Sequence, residues 1–240
     1  MIFERKYKSM NLSLRLSAIR DMVPKNSIVA DIGTDHGYIP VSLIKNKISK
    51  RVIGTDVSKG SLDKIINLVI SLDMESKIET KLGYGLDVIK PYEVDTLIIA
   101  GMGGMLIKDI LEKDKDTTKS ISNFILQPMV GAKELRQYLI HNDFKIINED
   151  LVFEEGKYYE IIFAIKGKSY IKKDIYFEIS QLLVENNHPL IGSFIQHKID
   201  KAEKILNEIK LIETKKAKEK NRKLQQLIKD YREVLIQIEG

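Results

Sequence analysis

No cysteine occurs among the 240 residues. That excludes disulfides, thiolate catalysis and Cys-ligated zinc together, and it is compatible with a reducing cytosol. Long apolar runs are missing too. No stretch approaches the roughly 18 apolar residues of a membrane span, so no membrane partner is expected. The N-terminal MIFERKYKSMNLSLRL lacks the apolar core of a signal peptide, and a cytoplasmic chain is expected. The histidines do not cluster: His141, His188 and His197 are scattered, and no group has metal-ligand spacing. No metal is expected.

What remains is an ordinary globular composition, 43% hydrophobic and 30% charged. The net charge of +5 favours an anionic partner without demanding one. The length holds one α/β domain of roughly 150–200 residues and an appendage.

Along the chain, strand-like and helix-like runs alternate. Leu12, Leu16, Ile19 and Val23 recur at helical spacing before Pro24. Strands are expected at 27–33, 51–57, 77–83, 94–101 and 121–128, with helices at 40–46, 62–72, 104–113 and 132–142. VDTLIIAG is continuously apolar, as a buried parallel strand should be. Two further strand-like runs flank EEGK within 144–167, a hairpin pattern. The alternation predicts a parallel sheet with helices on both faces, ending in an antiparallel β-hairpin. Such an ending outlines a class I methyltransferase (Rossmann-like) α/β sheet. A dinucleotide-binding domain more often continues with another βα unit.

Residues 169–190 read as a connector with one helix. Beyond Pro189, Ile195, Ile199, Ala202, Leu206 and Ile209 alternate by four and three, as do Leu224, Ile228, Tyr231, Leu235 and Ile238. This is the spacing of a coiled-coil seam. Two helices folded back on each other fit, and so does one long helix. The expected domains are therefore 1–168, α/β, and 169–240, helical and coiled-coil-like. Between the two apolar series lies TKKAKEKNRK (214–223), six Lys or Arg against one Glu. It reads either as a phosphate grip, through Lys215, Lys216, Lys218 and Lys220, or as a solvated helix tip.

The chemistry concentrates in ADIGTDHGYIP (30–40). Asp31 and Gly33 end the first strand, where ligands of open α/β sheets bind, and Gly37 follows in the turn. The third glycine of the dinucleotide fingerprint is missing, and two acids stand in the loop instead. They would repel a pyrophosphate. They suit a ligand with a cationic end, such as the sulfonium and ammonium of S-adenosylmethionine. The bland alternative for Asp31 is a turn cap. Asp56, 25 residues on, can accept from two ribose hydroxyls or cap the next helix, a role Ser58 or Ser61 can also fill. GYGLDVI (83–89) predicts a tight loop in which Tyr84 stacks on adenine or simply packs. IAGMGGML (99–106) predicts an open glycine loop after the fourth strand, without the Asn/Asp-Pro-Pro-aromatic motif of exocyclic-amine methylation. His36, beside glycines in a tight loop, is read as lining the donor pocket rather than as a base.

Together DIGTDHGYIP, Asp56, the GYGL loop, AGMGG, LQP (126–128) and GKYYEII (156–162) resemble the bacterial tRNA (adenine-22-N1)-methyltransferases across essentially the whole chain. The resemblance implies a cytoplasmic, monomeric enzyme that uses S-adenosyl-L-methionine and acts on tRNA. It implies donor contacts at Asp31, Gly33, His36, Gly37, Asp56, Val57, Tyr84, Gly85, Ala100, Gly101 and Met102. It implies that Asp35 serves the methylation step and that Arg15 faces RNA. Two positions depart from the family. Tyr84 stands where an Asp is usual, and Met129 where an Asn follows LQP. Other readings are a methyltransferase for another RNA or a protein, a nicotinamide oxidoreductase, and a non-catalytic RNA-binding or assembly protein.

Overall fold

The computed structural model describes residues 12–210 and 212–239. The first eleven residues, which carry most of the segment tested above for a signal peptide, lie outside the described residues. The chain forms two compact units, residues 1–170 and 171–240.

The first unit opens with helix α1 (Leu14–Asp21), capped by the Ser13 hydroxyl on the Leu16 amide. It buries Ile19, and Val23 is buried just beyond its end. Then follow β1 (Ser27–Ile32), α2 (Tyr38–Lys45), β2 (Ser49–Asp56), α3 (Lys59–Ile70), β3 (Ile78–Leu82), β4 (Thr96–Gly103) and α4 (Gly104–Lys113). A short α5 (Lys115–Ser120) precedes β5 (Asn123–Val130) and α6 (Ala132–His141). The unit closes with β6 (Phe144–Glu154) and β7 (Lys157–Lys166).

These seven strands form one sheet in the order β3-β2-β1-β4-β5-β7-β6. The first five run parallel, and β7 enters antiparallel between β5 and β6. This is the class I methyltransferase arrangement that the terminal hairpin implied. The hairpin turns on Glu155 and Gly156, both at positive φ, as a two-residue turn matching strand twist requires.

The central strands are apolar on both faces because both are covered. Ala30, Ile53, Leu97, Ile99, Phe124 and Leu126 belong to one core cluster. Their alternating neighbours Val29, Val52, Ile98 and Ile125 belong to another. Helices over both sides dry the sheet, so continuous apolar runs are stable there. The order reverses between β1 and β4, whose C-terminal ends therefore diverge and open a crevice.

Several element bounds differ from those expected. α2 starts at Tyr38, two residues before the expected 40, because Gly37 holds the left-handed N-cap position at φ 71°. The glycines after the fourth strand are not all loop: β4 runs on through Gly103, and α4 begins at Gly104. α5 was not expected from the sequence, being six residues of mostly polar character.

The second unit holds two short helices, α7 (Ile175–Ile179) and α8 (Gln181–Glu185), where one was expected. Ser180, at φ 55°, breaks them and caps α8 on the Leu183 amide. Two helices follow, α9 (Ile191–Ile209) and α10 (Lys215–Glu239). They run antiparallel: a Cβ on Gly192, at the start of α9, would lie 3.8 Å from Ile238 near the end of α10. Ile195, Ile199, Ala202, Ile228 and Tyr231 of the two apolar series are buried. Among the described residues, no helix is long and apolar enough to cross a membrane.

Candidate functional site

A cleft of about 330 Å³ opens in the first unit at the diverging ends of β1 and β4. Its wall on one side is the 31–39 turn, and on the other Ala100, Gly101 and Arg15. Local hydrogen bonds explain the turn. The amides of Gly33 and Thr34 both donate to the Thr55 carbonyl, at 2.8 and 3.0 Å, and Gly37 donates to the Thr34 carbonyl at 2.9 Å. Gly33 and Gly37 adopt φ 74° and 71°, where a Cβ would be strained.

Asp31 is 4% exposed at the base of the cleft. Burial pushes its pKa up to about 6, and the charge of Asp56 adds to the rise. A buried carboxylate near a second carboxylate is a place for a cation. Asp56 ends β2. Its Oδ1 accepts from the Ser58 amide at 2.7 Å, and its Oδ2 from the Asp35 amide at 3.4 Å. The cap of α3 is provided by Ser58, whose hydroxyl accepts from the Ser61 amide.

Asp35 sits at φ 41°, exposed at the rim. Its Oδ1 accepts from the Ser61 hydroxyl at 3.2 Å, and its Oδ2 lies 3.2 Å from His36 Nε2. The His36 ring in turn stacks on Tyr38, with centroids 5.3 Å apart. His36 thus lines the cleft and braces Asp35.

Not every expected donor contact lies on the cleft lining. Asp31, Gly33, His36, Ala100 and Gly101 do, together with Asp35 and Arg15, which were expected in other roles. Asp56, Gly37, Val57, Tyr84, Gly85 and Met102 do not, and Val57 is 66% exposed just after Asp56. The Met102 methyl packs against Gly33. Tyr84 carries the Lys113 ammonium over one face of its ring at 4.9 Å.

Arg15 is placed in the cleft wall rather than simply outward. Its Nη1 donates to Gln127 Oε1 at 2.7 Å, and its guanidinium lies over the Tyr159 ring at 5.3 Å. Gln127 was not among the expected site residues. The signal for it is one polar side chain inside the otherwise apolar strand run FILQP, and here it is fully buried. Lys215, Lys216, Lys218 and Lys220 lie exposed on the first turns of α10, in the second unit.

Known proteins share this sequence pattern and fold. Residues 12–162 match the family model described as a methyltransferase domain. The chain is 35% identical to the tRNA (adenine(22)-N(1))-methyltransferase of Bacillus subtilis over 66% of each chain. The crystal structure of B. subtilis M1A22 tRNA methyltransferase TrmK superposes with a TM-score of 0.86 at 29% identity, covering 95% of this chain and all of that one. M. capricolum TrmK, solved with S-adenosyl-homocysteine, gives 0.82 at 27% identity, covering 95% of this chain and 99% of that one.

Proposed function

The chain belongs to the methyltransferase-domain family, and we propose that it transfers a methyl group from S-adenosylmethionine to N1 of adenine 22 in tRNA. One observation carries the reading: a buried acid, Asp31, lies beneath a glycine-walled cleft at the switch point of the sheet. The donor fits the residues present. Asp31 offers a dry negative site to an α-ammonium. Gly101 faces open space, since a Cβ there would meet only Arg15 Nη1, at 3.9 Å. Each Asp56 oxygen keeps acceptor capacity for a ribose hydroxyl beyond its backbone bond.

S-adenosylmethionine supplies a methyl group made electrophilic by its sulfonium. The chain's own work is positioning. Adenine N1 has an in-plane lone pair and needs no deprotonation before attack. As the N1–C bond forms and the C–S bond breaks, positive charge develops on the ring. Asp35, at the rim and braced by Ser61 and His36, accepts a hydrogen bond from the N6 amine. That bond orients the base and stabilises the developing charge. An N1 edge engaged in pairing must first be turned out of the fold of the RNA. The cytoplasm is the setting that a tRNA substrate implies.

The test is transfer of labelled methyl to bulk tRNA, followed by mapping of the modified nucleotide. Label at N1 of adenine 22 is expected. Label at another nucleotide moves the target and leaves the reaction standing. No label in tRNA, with the donor bound, sinks the activity.

A further inference from the structure

Gln127 has every polar atom of its side chain in use, although it is fully buried. Its Oε1 accepts from Arg15 Nη1 at 2.7 Å and from the Gly101 amide at 3.2 Å. Its Nε2 donates to the Pro128 carbonyl at 2.9 Å and lies 3.7 Å from Met129 Sδ. The second of these bonds has a local cause. The β4–β5 register slips between Ala100 and Met102, and Gly101, at φ 79°, has no strand partner there. The Gln127 oxygen takes its amide instead.

We infer that Gln127 is a positioning residue that holds Arg15 as an uncompensated cation in the cleft wall, aimed at a phosphate of the bound RNA. The inference rests on the proposed tRNA methyl transfer. Among the described residues, Arg15's partners are the Gln127 amide and the Tyr159 ring, both neutral. A carboxylate would hold the same guanidinium more tightly but cancel its charge. A neutral acceptor fixes its direction and leaves the charge available. The two anchors also say which ligand it serves. Gln127 lies on β5 and Tyr159 on β7, across β4 from the Asp31 and Asp56 ends of β1 and β2. The donor's cationic and ribose ends belong to that far side, so the Arg15 side is left for the acceptor. Gln127 also couples the cation to the wall: the same oxygen that aims Arg15 holds the Gly101 amide of the cleft.

The experiment compares wild type with Gln127→Glu, Arg15→Gln and the double variant, in the full-length chain. Donor Kd is measured by calorimetry. The tRNA KM, kcat and equilibrium tRNA affinity are measured across a salt series. Gln127→Glu keeps the side-chain size and both accepted bonds and gives up the bond donated to the Pro128 carbonyl. It is expected to raise tRNA KM about tenfold with kcat and donor Kd within twofold of wild type. One lost phosphate contact lowers the slope of log affinity against log salt by about 0.7–0.9. Arg15→Gln, on a partly exposed helix, is expected to give the same change, and the double variant no more than either alone. A Gln127→Glu protein with wild-type tRNA KM and slope overturns the inference. So does a rise in donor Kd without a change in tRNA affinity, or additive losses in the double variant. A wild type that binds tRNA with an Arg15- and Gln127-dependent slope but transfers no methyl overturns the activity and leaves the positioning role standing. A wild type that binds no tRNA overturns both.

Discussion

The Met102 side chain fills the space that a Cβ on Gly33 would need: its Cε lies 2.4 Å from that point. Gly33 also holds φ 74°, so two independent constraints meet on one residue of the cleft turn. Gly33→Ala is expected to cost about 1–3 kcal/mol of stability and to weaken donor affinity at least tenfold. Adding Met102→Ala removes the clash at the expense of that side chain's own packing, so the double variant is expected to lose less than the sum of the two single changes. Melting temperature and donor calorimetry on the two variants check this. A single variant as stable and tight-binding as wild type contradicts it.

Asp31 gives a pH dependence with a definite sign. Its folded pKa of about 6 lies above the ordinary value of 3.8. The folded state therefore binds more protons between those values, and ionisation of Asp31 lowers stability as pH rises through that window. Asp31→Asn removes this penalty. At pH 7 it is expected to melt higher than wild type without donor, by on the order of 2 kcal/mol. The advantage should vanish near pH 4. The same variant is expected to lose donor binding, and wild-type affinity should weaken as pH falls below about 6. Melting curves and donor titrations at pH 4, 5.5 and 7.5 decide it.

Asp35→Asn separates chemistry from donor binding. Asn tolerates the left-handed backbone of this position, so the turn should survive. Donor Kd is expected to stay within about threefold while kcat falls on the order of 100-fold. If donor affinity collapses and single-turnover rate at saturating donor is unchanged, Asp35 is a donor contact.

Neutralising Lys215, Lys216, Lys218 and Lys220 together tests the basic run on α10. The side chains are exposed, so the fold should hold. A tRNA affinity several-fold weaker, with a shallower salt dependence, is expected. Unchanged affinity and slope would remove this segment from the RNA site.

Arg136 is fully buried on α6 and pairs with Glu149 on β6 at 2.7 Å and Glu160 on β7 at 2.6 Å. The two carboxylates hold its guanidinium charged despite burial. Arg136→Met strands two acids beside an apolar side chain and is expected to cost about 3–5 kcal/mol. Denaturant unfolding measures it. A double replacement of the acids in the same background should recover part of the loss.

Much of the acidic side of the cleft was legible in the chain. Asp31 and Asp56 stand at strand ends, which follow from where apolar runs stop, and Asp35 lies in the turn after the first of them. The hairpin 144–167 was legible from EEGK, and it is what distinguishes this sheet from a dinucleotide-binding one. The wall formed by β4 and β5 was less so. AGMGG reads as a loop because glycines weaken strands, yet β5 pairs with Met102 and Gly103 and keeps them in the sheet. Tyr84 reads either as stacking on adenine or as packing, and a sequence pattern does not show that the Lys113 ammonium lies over its ring.

Local patterning by itself determined the α/β order, the parallel strands, the acids at their ends and the two apolar series of the helical pair. Each of these depends on spacing along the chain. Only the tertiary structure decided that Gln127, Arg15, Gly101 and Tyr159 share one wall. Gln127 and Arg15 are 112 residues apart in sequence, and no local periodicity links them. They meet because β5 crosses beside β4 and β7 returns against β5, which brings an orphaned amide, a buried amide oxygen and a guanidinium within hydrogen-bond reach.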